Sequence, residues 1–229
     1  MPDVQKAIQA IMTAMNTVGE ELPVAPARPV VCISRDCGSG GDEIAALLAA
    51  HLGVEVYDRV IVERIAQRLN AEPETMRALD VGAGKLRDMW LYSLMTGQNL
   101  SADHYKRHLI NVVVSLGRSG GVIVGRAAHL ILANSGALRV RVTGSLEICA
   151  KRLASAEGID LDTARKRIEE VNHNRGKFVW DHFQERSNDP RTFDLMINTD
   201  HIADRKKVVD MLVDALKMVG QKVPDRAVV

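Results

Sequence analysis

Residues 30–44 read Val-Val-Cys-Ile-Ser-Arg-Asp-Cys-Gly-Ser-Gly-Gly-Asp-Glu-Ile. It begins with a short apolar run, residues 30–33, which is typical of a buried parallel strand. A glycine-rich turn at 38–41 follows, and apolar residues then recur at the spacing of one helix face at Ile44, Leu47, Leu48 and Leu52. Gly53 predicts the helix end, and residues 54–57 a second strand. The pattern therefore predicts a right-handed βαβ unit.

The rest of the chain repeats this alternation. We predict further strands at 122–124, 138–142 and 193–198, and helices at 60–69, 146–154, 161–186 and 208–219. Residues 72–120 are expected to be mostly helical, with a buried apolar run at 109–116. The expected fold class is therefore α/β, a three-layer αβα arrangement in which a parallel sheet is the central layer.

The N-terminal part differs from this core. Apolar residues at helical spacing predict a helix at 4–18, and Pro23, Pro26 and Pro29 predict an extended linker at 19–29. We therefore divide the chain into a helix and linker, 1–29, and one domain, 30–229. Two interpretations of the helix stay open: it packs on its own core, or it serves to form a homodimer or to bind another partner.

Composition narrows the function classes. Thirty basic and 29 acidic residues give a net charge of +1, which excludes a histone-like basic binder. Aromatic residues are 3% of the chain, which argues against stacking on single-stranded nucleic acid. The three cysteines, Cys32, Cys37 and Cys149, form no CxxC pair and suit a reducing cytoplasm. No apolar stretch approaches the roughly 20 residues of a membrane helix, so we expect no membrane partner and no targeting signal.

The glycine-rich turn has the sequence of an anion site. Free backbone N–H groups and the positive end of the helix dipole meet where a strand leads through glycines into a helix. Gly38, Ser39, Gly40 and Gly41 are therefore candidates for binding phosphate, and the alternative is a turn whose glycines serve only tight packing.

This loop lacks the lysine of a standard P-loop. Gly41 stands where that lysine follows the last motif glycine, and Asp42 and Glu43 come next. A carboxylate about 4–6 Å from a phosphate costs roughly 3–4 kcal/mol at an effective dielectric of about 20, so a cation must compensate. Either an arginine arrives from elsewhere, or a carboxylate such as Glu43 holds Mg²⁺, or the site binds triphosphate poorly. The alternative explanation for Asp42 and Glu43 is the ordinary preference of carboxylates for a helix N-terminus.

Two other features have structural interpretations. His104 and His108 have the i,i+4 spacing of a zinc site, but no third ligand is evident, which favours an ordinary surface helix. Cys37 lies near a helix N-terminus, which can lower a thiol pKa, and we interpret it as structural.

Five ordered segments resemble the cytidylate kinase-like family, a branch of the P-loop nucleoside monophosphate kinases. They are residues 33–41, 57–59, 122–126, the lid-like run ending at 172–175, and 193–199, which together span about residues 30–215. The resemblance implies a P-loop kinase fold with a helical insertion at 72–120 on the acceptor side and a helical lid at 151–186. It implies ATP and Mg²⁺ as cofactors. The resemblance also implies that the P-loop lysine is absent from this branch as a whole.

The resemblance also implies roles by position. Residues 38–41 would cradle the donor phosphates, with Arg152 against the donor base. Arg64, one turn into the helix that follows Asp58, and Arg126 would bind the acceptor's phosphate. Arg175, with Arg167 as the weaker candidate, would close over the transferring group. Ala127 and Asp42 depart from the pattern, because relatives often carry an acidic residue and an arginine there.

The arginines have a physical rationale of their own. Phosphoryl transfer needs alignment and positive charge around the equatorial oxygens, and the guanidinium fork binds phosphate through two hydrogen bonds. Arg126 directly follows an apolar strand and should point to the edge where the glycine loop opens. Arg64 is equally consistent with a surface helix, and part of the basic 151–186 stretch with a solvated helix face. The nearly neutral net charge argues against an RNA-binding function.

We therefore expect a cytoplasmic phosphotransferase that moves the ATP γ-phosphoryl group to a nucleoside monophosphate, most plausibly CMP or dCMP. Its partners would be small-molecule nucleotides rather than nucleic acid. The alternative is a catalytically degenerate P-loop protein with a nucleotide-binding or regulatory role. The missing lysine and the Asp42–Glu43 pair motivate this alternative. A kinase for another phosphorylated or carboxylated metabolite is a further variant.

Overall fold

The computed structural model describes residues 28–60, 62 and 102–223. Within them five parallel strands form one sheet, in the order β2-β3-β1-β4-β5. The strands are β1 (Val30–Arg35), β2 (Val56–Tyr57), β3 (Gly121–Val124), β4 (Leu138–Thr143) and β5 (Leu195–Asn198). The register runs Ile33 beside Val124 on one side and Ile33 beside Val140 on the other, so β1 lies at the centre.

Helices cover both faces of this sheet. They are α1 (Gly41–Leu52), α2 (Ala102–Ser119), α3 (Ala128–Ile131), α4 (Leu146–Glu157), α5 (Leu161–Phe183) and α6 (Arg205–Met218), and a 3₁₀ turn spans Pro190–Thr192. The expected three-layer αβα architecture around a parallel sheet is confirmed.

The two cores follow from the alternation of side chains along β1. Val30 and Cys32 pack with the apolar face of α2, whose Leu109, Val112, Val113 and Leu116 are buried as the sequence predicts. Val31 and Ile33 point the other way, against α1 and α6. A smaller cluster, Cys149, Ala150, Ala164 and Ile168, joins α4 to α5 and makes these two helices one unit.

Element ends differ from the predictions for local reasons. The Asp204 carboxylate accepts a hydrogen bond from the N–H of Lys206, so α6 begins before the predicted residue 208. In α5 the backbone of Gln184 turns left-handed at φ 55°, which ends the helix before residue 186. The N-terminal helix, most of the 60–69 helix, Arg64 and much of the 72–120 insertion lie outside the described residues.

The structure bears differently on the histidine pair and on the cysteines. The His104 and His108 side chains lie outside what the structure describes. All three cysteines are free, and burial raises the pKa of the Cys37 thiol in spite of nearby Arg175. That direction opposes a reactive thiolate and favours a structural Cys37.

No helix in the described ranges combines the length and apolarity needed to cross a bilayer.

Candidate functional site

The glycine loop between β1 and α1 adopts a conformation that needs glycine. Gly38 and Gly40 have φ of 77° and 81°, and Gly40 caps α1 without a side-chain hydrogen bond. A β-carbon on Gly38 would lie 2.7 Å from the carbonyl oxygen of Cys149, and one on Gly40 would lie 2.7 Å from Nε of Arg205. Backbone angle and space therefore both select glycine at these positions.

The loop presents hydrogen-bond donors at the start of α1. Within the described ranges, the N–H groups of Gly38, Gly40 and Gly41 donate to no other protein group. The Cys37 N–H differs, because it donates to Oδ1 of Asn172 on α5 at 2.8 Å. Unbonded donors at a helix N-terminus, where the helix dipole is positive, favour an anion.

Asp36 fixes this loop to the neighbouring strand. Its carboxylate accepts hydrogen bonds from Arg141 and Thr143 on β4. Its carbonyl oxygen accepts one from the hydroxyl of Ser39, which is fully buried. The loop is thus held in shape by contacts between residues more than 100 positions apart in the sequence.

A cavity of about 430 Å³ opens beside the loop, and positive charge dominates its lining. Its guanidinium groups come from five separate segments of the chain and belong to Arg35, Arg59, Arg126, Arg141 and Arg175. Two carboxylates, Asp42 and Asp58, line it as well. Burial lowers the pKa of both Arg141 and Arg175, and the charge of Arg35 adds to this effect in each case. The cavity therefore suits an anionic ligand.

Two contacts hold cavity arginines in place. The Arg126 guanidinium lies over the ring of Phe178 on α5, 4.5 Å from its centroid, in a cation–π contact. Arg175, one helical turn before Phe178, donates to the carbonyl oxygen of Arg35 at 3.0 Å. With the Asn172–Cys37 hydrogen bond, helix α5 thus contacts both the glycine loop and the cavity.

A buried histidine forms part of the same wall. His129 is 3% exposed and stacks on Phe193 with ring centroids 4.4 Å apart. Its Nε2 atom has no hydrogen-bond partner in the part of the chain that the structure describes. Burial, reinforced by the charges of Arg141 and Arg139, lowers the pKa of His129 to about 4, so the ring is neutral at pH 7.

The sequence profile of the cytidylate kinase-like family matches residues 30–201. The chain belongs to the cytidylate kinase-like family.

Comparison with solved structures agrees on the fold of this cytidylate kinase-like protein. The crystal structure of an uncharacterized protein from Eubacterium ventriosum ATCC 27560 has a TM-score of 0.62 at 20% identity, covering 83% of this chain and 99% of that one. Shikimate kinase from Bacteroides thetaiotaomicron has a TM-score of 0.44 at 14% identity, covering 83% of this chain and 99% of that one. Shikimate kinase from Acinetobacter baumannii, in complex with shikimate, also scores 0.44, at 11% identity, covering 86% and 97%. At these identities the likeness concerns the fold alone. None of the curated proteins matches the sequence.

In this cytidylate kinase-like protein some of the predicted site residues converge. Asp58, Arg126 and Arg175 line the cavity, and residues 38–41 form the adjoining loop. Arg152 lies on the other side of the loop, where it donates to the hydroxyl and carbonyl oxygens of Thr199. The Thr199 hydroxyl donates in turn to the carbonyl oxygen of Ser39 at 2.8 Å.

Two other candidates have partners of their own. Arg167 forms an ion pair with Glu157 on α4. Glu43 is exposed, and its Oε2 lies 3.7 Å from Nε of Arg205.

Several residues around the loop were not predicted from the sequence. They are Arg35, Arg141, Asn172, Arg205 and His129. Arg141 carried a weak signal, because it alternates with Arg139 along an apolar strand, and Arg35 is the last residue of its strand. Asn172 and Arg205 reach the loop only through tertiary packing, which periodicity does not reveal.

The residues present fit magnesium only as a partner of bound phosphate. In the described ranges no three His, Cys, Asp or Glu side chains lie together in a way that could hold a metal ion. Glu43, in the first turn of α1, is placed to supply one carboxylate. Mg²⁺ commonly takes one or two protein carboxylates and completes its shell with phosphate oxygens and water, so this arrangement is compatible with the ion.

Proposed function

We propose that this chain is a phosphotransferase that moves the γ-phosphoryl group of ATP to a nucleoside monophosphate, CMP or dCMP. One observation carries the proposal. Guanidinium groups from separate segments line a single cavity, and this cavity adjoins a glycine loop whose N–H groups are unbonded within the described ranges. Such a site supplies what phosphoryl transfer asks of a protein, namely alignment and positive charge.

On the donor side, we assign the ATP phosphates to residues 38–41 and the base to the Arg152 side. Arg205 adds a second guanidinium beside Gly40. Glu43 would hold Mg²⁺, which would supply positive charge beside the donor phosphates. The Arg205–Glu43 contact, at 3.7 Å and with Glu43 64% exposed, is weak enough to yield to that ion.

On the acceptor side, we assign the phosphate of the monophosphate to Arg126, with Asp58 near its sugar or base and Arg64 as a further candidate. Arg175 is assigned to the group in transfer, because it hydrogen-bonds to the last residue of β1, directly before the glycine loop, and also lines the acceptor cavity. Arg167 would need to leave Glu157 to take part, which makes it the weaker candidate.

The test is a coupled assay of ADP release with a panel of nucleoside monophosphates and of other phosphorylated or carboxylated metabolites. We expect turnover with CMP or dCMP and a loss of roughly 100- to 1000-fold in Arg126→Ala. Arg165→Ala is the matched control, because Arg165 pairs with Glu147 and Asp162 on α4 and α5 and does not line the cavity. Equal rates in Arg126→Ala and Arg165→Ala would contradict the assignment.

A second candidate function is nucleotide binding without catalysis. The observation in its favour is Gly41 at the lysine position, followed by two carboxylates. In that case ATP raises the melting temperature of the protein while ADP release stays at background with every acceptor.

A further inference from the structure

The position of the missing P-loop lysine has no room for a side chain. A β-carbon on Gly41 would lie 2.5 Å from Cβ and 2.9 Å from Cγ of Arg35, and 3.3 Å from Cβ of Val142. Gly41 is buried under these atoms. The stem of Arg35 therefore occupies the space into which a lysine would extend from residue 41.

The same stem carries a guanidinium to the edge of the phosphate loop. Nε and NH2 of Arg35 each lie 2.9 Å from Oδ1 of Asp42, in the first turn of α1. NH1 lies 3.0 Å from the place that a β-carbon on Gly125 would take, at the end of β3. The group thus spans the gap between the start of α1 and the segment that carries Arg126.

The surroundings of Arg35 favour a role in binding over a purely structural one. Asp42 is 67% exposed, so it can turn to solvent and release the guanidinium. The Arg35 side chain is only 14% exposed and shares its cavity with four other arginines and two carboxylates. These positive charges repel one another, which favours the binding of an anion among them.

We propose that the Arg35 guanidinium supplies the positive charge on the terminal donor phosphates that a lysine after the last loop glycine supplies in a standard P-loop. The inference deepens the proposed function and rests on it. It accounts for two departures from a standard P-loop, at residues 41 and 42. Gly41 leaves space for the Arg35 stem, and Asp42 holds the guanidinium in place until phosphate arrives. A guanidinium also provides two parallel donors where an ammonium provides a point charge.

The experiment is calorimetric titration of the full chain with inorganic tripolyphosphate and with ATP. Arg35→Met removes the charge and keeps the stem, and Arg35→Lys keeps the charge. Arg165→Met is the matched control, an equal chemical change away from the cavity. We expect binding roughly 10- to 100-fold weaker in Arg35→Met, a loss several times smaller in Arg35→Lys, and wild-type affinity in Arg165→Met.

Asp42→Asn separates this role from simple neutralisation of Asp42. If Arg35 binds phosphate, the double variant Arg35→Met with Asp42→Asn stays well below the affinity of Asp42→Asn alone. If Arg35 only offsets the carboxylate, the double variant matches Asp42→Asn, which overturns the inference. Arg35→Gln replaces Arg35→Met in both comparisons if circular dichroism shows that the methionine variant does not fold.

The remaining outcomes are also decisive. Wild-type binding that is unchanged in Arg35→Met overturns the inference and leaves the proposed function standing. Equal losses in Arg35→Lys and Arg35→Met also overturn it, since the positive charge kept by lysine would then contribute nothing to binding. No binding of either probe to the wild-type chain overturns both the inference and the proposed function.

Discussion

At the scale of single residues, His129 shows how burial decides protonation. The imidazole is stacked on Phe193 and lies near the guanidinium groups of Arg139 and Arg141. Burial first, and these charges second, favour the neutral ring and lower the pKa of His129 from 6.5 to about 4. A neutral imidazole in the wall keeps one more positive charge out of a cavity already rich in arginine.

This lowered pKa predicts a pH dependence of stability. Between pH 6.5 and about 4 the unfolded chain binds a proton at residue 129 that the folded chain does not, so the free energy of unfolding falls as the pH falls through this window. The slope from this group is at most about 1.4 kcal/mol per pH unit. Urea unfolding at several pH values should show a shallower decline in His129→Gln than in the wild type. Identical slopes would show that His129 titrates alike in both states.

At the scale of secondary structure elements, Gln221 joins the end of the fold to its beginning. This residue follows α6 and is 6% exposed. Its side chain accepts from the N–H of Val30 at 2.7 Å and donates to the carbonyl oxygens of Val30 and Gly136 at 3.0 and 2.7 Å. The first residue of the central strand is therefore held by a side chain 191 positions away.

Removing this contact should be costly. Gln221→Ala leaves the Val30 N–H and two carbonyl oxygens without the amide as their partner, and we expect a loss of roughly 2–4 kcal/mol in the free energy of unfolding. Lys222→Ala, at the exposed neighbouring position, is the control and should stay within about 0.5 kcal/mol of the wild type. Equal effects in urea titrations of the two variants would show that the Gln221 hydrogen bonds add nothing.

The elements differ in how far the sequence predicts them. Residues 30–33 and 122–124 are short apolar runs, residues 138–142 alternate aliphatic residues with two arginines, and each segment becomes a strand of the sheet. Their local pattern is strong because a central parallel strand is buried on both faces. Ends set by caps, such as the start of α6 at Asp204, are less predictable, because one side-chain hydrogen bond decides them.

The site is predictable only where position in the fold determines direction. Arg126 could be placed at the cavity because it directly follows an apolar strand, and the carboxyl ends of parallel strands share one edge. The direction of Arg35 depends on the space left by Gly41, and that of Asn172 on how α5 packs over the loop. Neither leaves a periodic signal in the sequence.

At the scale of the whole molecule, near neutrality conceals a strongly uneven charge distribution. The net charge is +1, yet one cavity gathers five arginines against two carboxylates. Helix α5 contacts this cavity through Arg175 and the glycine loop through Asn172, so that one helix contacts both halves of the proposed reaction site. The proposed dimer through the N-terminal helix stays a prediction, since that helix lies outside the described residues.

The most direct test is the rate of ADP formation from ATP and CMP in wild-type protein, Arg175→Met and Lys177→Met. Both substitutions remove one positive charge from α5, but Arg175 lines the cavity whereas Lys177 is exposed and pairs with Asp181. We predict turnover in the wild type, a similar rate in Lys177→Met, and a rate roughly 100- to 1000-fold lower in Arg175→Met. Wild-type ADP formation no faster than without protein, or equal rates in the two variants, would contradict a phosphoryl-transfer site at this cavity.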